Sequence, residues 1–88
     1  MPELSRFYGM VIQMFFKDIQ QHHLPHIHVV CGGAKAVLAL DGTLLEGKLP
    51  PKQLRALLVW MDFREDELKA AWEKAVRKEH FGKIKPLE

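Results

Sequence analysis

Apolar residues along this chain first recur with a period of two and later with a period near three and a half. Phe7 to Phe16 reads Phe-Tyr-Gly-Met-Val-Ile-Gln-Met-Phe-Phe, aromatic and β-branched enough for a strand. Alternation places Tyr8, Met10, Ile12, Met14 and Phe16 on one side and the more mixed Phe7, Gly9, Val11, Gln13 and Phe15 on the other. Lys17 to Pro25 is polar, ends in proline and reads as a connection. A second strand is expected over His26–Cys31, a Gly32-Gly33 turn after it, and a third strand over Lys35–Leu40. Asp41-Gly42 is a type I′ hairpin signal, and Thr43–Glu46 supplies a short fourth strand. Such short connections favour antiparallel neighbours and hence a meander.

Gly47-Lys48-Leu49-Pro50-Pro51 ends the sheet. Pro51 suits the first turn of a helix, where a missing N–H is no loss, and Pro50 keeps the residue before it extended. From there to about Lys78 the period is helical: Leu54, Leu57, Leu58 and Met61, then Leu68, Ala71, Trp72 and Ala75. The polar run Arg64-Glu65-Asp66-Glu67 interrupts this stripe and predicts two helices with a break beside it. The segment from His80 onward, with Gly82 and Pro86, is expected to be extended. The fold class is therefore α+β: an antiparallel meander of about four strands, followed by one or two helices packed on one face.

Composition narrows the class of protein. The 88 residues have room for one domain spanning 1–88, and a 48% apolar share supports a folded core. Cys31 is the single cysteine, so no internal disulfide forms, which fits a reducing cytoplasm. The start, Met1 to Arg6, lacks the pattern of a secretory signal, and no apolar run is long enough to span a bilayer. A soluble cytoplasmic protein is expected. The net charge of +2 comes from scattered residues of both signs. Nucleic acid is thus allowed as a partner but is not indicated by any basic stripe.

The unusual chemistry lies in His22-His23-Leu24-Pro25-His26-Ile27-His28, which holds four of the five histidines. Imidazole is both a common metal ligand and the side chain suited to proton transfer near neutral pH. Pro25 disfavours a helix through Leu24, so His22 and His26 do not form a zincin-like pair. His26 and His28 should leave a strand on one face, their Cα atoms about 6.5–7 Å apart. That spacing suits an acid/base pair, His26 and His28, or chelation by His22, His26 and His28, for which a divalent transition metal is the matching cofactor. A purely structural role stands beside both. Cys31 falls on the other strand face from His28, which disfavours a closed four-ligand zinc site. Asp41 reads as a turn former, Glu46 as a rim charge or a residue completing a site, and Arg6 as a surface ion-pair partner or an anion-binding residue. Trp60, Phe63 and Trp72 read as packing residues, although Trp60 and Phe63 lie off the main stripe and could mark a second buried face or a partner surface.

Ser5-Arg6-Phe7-Tyr8-Gly9, Pro25-His26-Ile27-His28, Leu45-Glu46-Gly47-Lys48-Leu49-Pro50, Trp60 and Lys83-Ile84-Lys85-Pro86-Leu87 together resemble a small bacterial family catalogued as domain of unknown function 4160. The resemblance covers nearly the whole chain. Its most specific element is His-x-x-x-His-x-His, onto which His22, His26 and His28 fall; Leu24 stands where the family often has proline. The resemblance implies a pairing with a second small protein encoded nearby, in a module like a toxin–antitoxin system. The expected function is one component of such a module, acting through a protein partner. The alternatives are a histidine-dependent ribonuclease-like or metal-dependent phosphodiesterase toxin, and a non-catalytic metal-binding module. Whether the protein is an enzyme stays open on sequence alone, as does self-association.

Overall fold

The computed structural model describes residues 3–15 and 24–87. Five strands run β1 (Glu3–Phe7), β2 (Met10–Gln13), β3 (His26–Cys31), β4 (Ala34–Ala39) and β5 (Leu44–Gly47), followed by α1 (Pro51–Phe63) and α2 (Glu65–Val76). The strands form one antiparallel sheet in the order β1-β2-β3-β4-β5. This is the expected α+β meander and helical pair.

The apolar run expected to form one long strand is folded back on itself. Phe7 pairs with Met10, and Tyr8 and Gly9 between them have φ of 51° and 77°, the two positive values of a type I′ turn. Tyr8 is therefore an exposed turn residue, while Met10, Ile12 and Met14 are buried. The loop at Asp41-Gly42 also differs from expectation. Only Gly42 takes positive φ there, 98°. Gly42 N–H donates to the Ala39 carbonyl at 2.9 Å and Ala39 N–H to that of Thr43 at 2.8 Å. This is the three-residue hairpin loop with a left-handed glycine, not the two-residue turn.

Cross-strand register sorts the sheet into two faces. Ser5, Phe7, Met10, Ile12, Ile27, Val29, Ala36 and Leu38 share one. Apart from Ser5, these join Leu57, Trp60, Met61, Leu68, Ala71, Trp72 and Ala75 of the helices in a single hydrophobic core. The other face carries Arg6, Val11, Gln13, His28, Val30, Lys35, Val37 and Glu46.

Pro51 opens α1 as expected, with Leu54 N–H donating to the Pro50 carbonyl at 2.9 Å. The helical break falls at Arg64, whose φ of −111° and ψ of 21° end α1 and begin α2. Glu65, Asp66 and Glu67 then occupy the first turn of α2, where negative charge meets the positive end of the helix dipole. Within α1 the buried edge differs from the simple stripe. Trp60, off the stripe, is buried and in ring contact with Phe7 at 5.3 Å between centroids, whereas Leu58, on it, is exposed.

Among the described residues no helix is long and apolar enough to cross a membrane.

Candidate functional site: the His26–His28 strand and the outer sheet face

Strand alternation brings His26 and His28 together. Their ring centroids lie 5.3 Å apart with planes inclined by 60°. The two rings have different surroundings. His26 has no exposed surface; its ring packs on Trp72 of α2 at 5.2 Å. Its Nδ1 lies 2.7 Å from the Leu24 carbonyl oxygen. A carbonyl can only accept, so Nδ1 carries the proton, and in the neutral ring the lone pair resides on Nε2. His28 is half-buried, and Phe15 packs against it at 4.7 Å with planes at 87°. Of the two histidines, only His28 reaches the surface.

His22, the third residue of the pattern, lies outside the described residues, as do His23 and Asp18. Among the described residues no group of three or more His, Cys, Asp or Glu side chains is disposed to hold a metal ion. Cys31 pairs with Met10 in register and falls on the face opposite His28, as alternation requires.

His28 lies in a cross-strand row whose other members are far apart in sequence. Gln13 pairs with His28, His28 with Val37, and Val37 with Glu46. The neighbouring row runs Arg6, Val11, Val30, Lys35. Between them is a shallow open depression of about 440 Å³, lined by Gln13, Phe15, His28, Lys35, Val37 and Glu46 among others. Sequence reasoning gave Glu46 as a rim charge or a residue completing a site and passed over Gln13 and Lys35. Their shared direction with His28 was available from alternation, but the register that aligns them was not. Arg6, at the far edge, is held by Glu3 at 2.8 Å.

Asp41 is confirmed as a turn former. Its Oδ1 accepts the Thr43 N–H at 2.9 Å, and this bond, the largest influence on it, holds the carboxyl below its ordinary value. Of the three aromatics in question, Trp60 and Trp72 are packed into the core, while Phe63 is 72% exposed. Phe63 shares the outward side of α1 with the exposed Val59 four residues earlier, while the exposed Leu58 lies beside Gly42.

A family model described as Domain of unknown function (DUF4160) matches residues 9–73. No curated protein and no solved structure matches the chain.

Proposed function

For this chain, a member of the DUF4160 family, we propose a role as an interaction protein: one component of a two-gene, toxin–antitoxin-like module acting through a small protein partner. The observation that carries this reading is the outward ridge of α1. Leu58, Val59 and Phe63 are 39%, 47% and 72% exposed on one helix. Single exposed apolar residues are commonplace, but Val59 and Phe63, four residues apart, form one outward ridge, with Leu58 flanking it on the side of Gly42. An aromatic at its end is a suitable anchor for a partner's pocket. Arg55 and Asp62, both exposed on the same helix, lie between Leu58 and the Val59–Phe63 pair and border that pair with charge.

The test is co-expression with the adjacent gene, followed by size-exclusion chromatography at micromolar concentration. Co-elution that is lost in Phe63→Asp, with the thermal transition of the free protein unchanged, supports the reading. Clean separation of the two wild-type proteins overturns it. Growth scored during expression alone and together assigns the toxin or antitoxin role.

A second reading, a site for a divalent transition metal, draws support from the His26–His28 geometry. Imidazole nitrogens sit about 2.0–2.1 Å from zinc, which places ring centres about 3.2 Å from the ion and, at a tetrahedral angle, about 5.2 Å from each other. The observed separation is 5.3 Å. A backbone carbonyl on the remote ring nitrogen, as Leu24 provides for His26, is the usual second-shell arrangement for a ligating histidine. His22 is the third ligand that the spacing offers. Metal analysis of protein purified without a polyhistidine tag tests this. Retained metal that disappears in His28→Ala supports it; metal-free protein that also fails to perturb the absorption of added Co²⁺ rejects it.

A further inference from the structure

The outer face of the sheet sorts its polar residues by charge, and the two rows lie side by side. One row begins and ends with cations, Arg6 on β1 and Lys35 on β4, with Val11 and Val30 between. The other carries Gln13, His28, Val37 and Glu46 from β2 to β5. Successive rows on one face are two residues apart, about 6.5–7 Å, and adjacent strands about 4.8 Å apart, so His28 and Glu46 stand about 10 Å from each other. Half-buried Val30 floors the space between the rows, with the almost fully buried Val37 beside it. Phe15, set edge-to-face with His28, forms one wall.

We propose that this depression binds a nucleotide, its base over Val30 beside Phe15 and His28, its phosphate at Lys35. The chemistry of the lining selects this class of ligand. A flat apolar floor with an aromatic wall suits a planar ring, and open antiparallel sheet faces carrying such rings are established platforms for unpaired bases. Gln13 offers a donor and an acceptor in the base plane. Glu46 is acceptor-only when ionised, so it favours guanine, whose N1–H and N2 amino group are adjacent donors for one carboxylate, over uracil, whose single N3–H donor is flanked by two carbonyls. Lys35, exposed at the margin and paired across the strands with Val30, supplies a cation beside the base. The depression, at about 440 Å³, is within the usual size range of small-ligand sites. The site is independent of the α1 ridge, so its failure leaves the partner reading untouched.

The same chemistry is presented by a free nucleotide and by an unpaired base in a single strand. Two-dimensional amide NMR with tag-free protein separates them, using GMP, UMP, guanosine and a short single-stranded G-containing RNA. GMP is expected to give saturable shifts on β2–β5 with a submillimolar dissociation constant. UMP should bind about tenfold more weakly, and Glu46→Gln should narrow that ratio. Lys35→Ala should weaken GMP about fivefold while leaving guanosine unchanged, as loss of one exposed ion pair would. Both substitutions fall on exposed residues and leave the core intact. Saturable binding of the RNA alone assigns the site to a strand; binding of GMP as tightly as RNA assigns it to the free nucleotide. Absence of saturable shifts with either, or shifts lying elsewhere and unchanged by Lys35→Ala, overturns the proposal.

Discussion

The indole N–H of Trp60 donates to the backbone carbonyl of Lys85 across 2.8 Å, a bond between residues 25 apart. Next to it, Ile84 N–H donates to the Leu4 carbonyl at 2.7 Å, and the Ile84 side chain is buried. These two bonds fasten the C-terminal segment to α1 and to β1 together. The second also occupies part of the outer edge of β1, which would otherwise offer unpaired backbone groups to another strand. Trp60→Phe keeps the aromatic contact with Phe7 but removes the donor. A loss of about 1 kcal/mol in urea unfolding is expected, with faster hydrogen exchange at the Ile84 amide. Unchanged protection of that amide would show that the segment is held without Trp60.

The burial of Trp60 also marks where sequence reasoning reached its limit. The helical period was legible and placed Leu57, Met61, Leu68, Ala71, Trp72 and Ala75 correctly in the core. The rotation of α1 about its axis was not legible, because it depends on Phe7 and the Lys85 carbonyl, partners from both ends of the chain. The Tyr8-Gly9 turn was hidden for a different reason. Apolar character runs unbroken through it, tyrosine is an uncommon residue at positive φ, and Gly9 was the only local warning. For the site, alternation was enough to predict that His26 and His28 share a face. It could not reveal that Trp72 closes over one ring and leaves the other at the surface.

That difference between the two histidines predicts unequal costs. His26→Ala removes a fully buried ring from between Trp72 and His28 and leaves the Leu24 carbonyl without its donor. A destabilisation on the order of 2–4 kcal/mol is expected. His28→Ala, at a half-buried position, should cost less than about 1 kcal/mol. Chemical denaturation of both variants, with the slopes compared, measures the difference. Equal losses would contradict the distinct environments described for the two rings.

Asp41 gives the hairpin a dependence on pH whose sign is fixed. The Thr43 N–H bonds to the carboxylate and lowers the folded-state pKa below the ordinary value of 3.8. A depressed carboxyl contributes stability that is fully present above the unfolded value and is lost as pH falls through the folded one. Asp41→Ala should therefore be less stable than the parent at neutral pH. The difference should shrink below about pH 4 and close once both forms are protonated. Urea midpoints for the pair across acidic pH test this. A gap that persists undiminished at the acid end would assign the effect of Asp41 to backbone propensity instead.

Gly47 and Lys78 share a left-handed backbone, with φ of 72° and 61°, yet substitution should act on them in opposite directions. At Gly47 a Cβ would run into the Lys35 carbonyl oxygen, and backbone on either side gives it no way to move aside. Gly47→Ala therefore adds a clash to the left-handed penalty of about 1–2 kcal/mol, and a total loss above that range is expected. At Lys78 the geometry is that of a helix terminator. Lys78 N–H donates to the Ala75 carbonyl at 3.0 Å and Glu79 N–H to that of Lys74 at 2.8 Å, the bonding of a Schellman motif with lysine where glycine is usual. Lys78→Gly relieves the side-chain penalty but adds freedom to the unfolded chain, so a net gain of about 0.5–1 kcal/mol is expected. Thermal unfolding of both variants measures the two signs. A stable Gly47→Ala protein would mean that β5 can withdraw from β4, and a destabilised Lys78→Gly would mean that the lysine side chain contributes more to the end of α2 than its backbone strain costs.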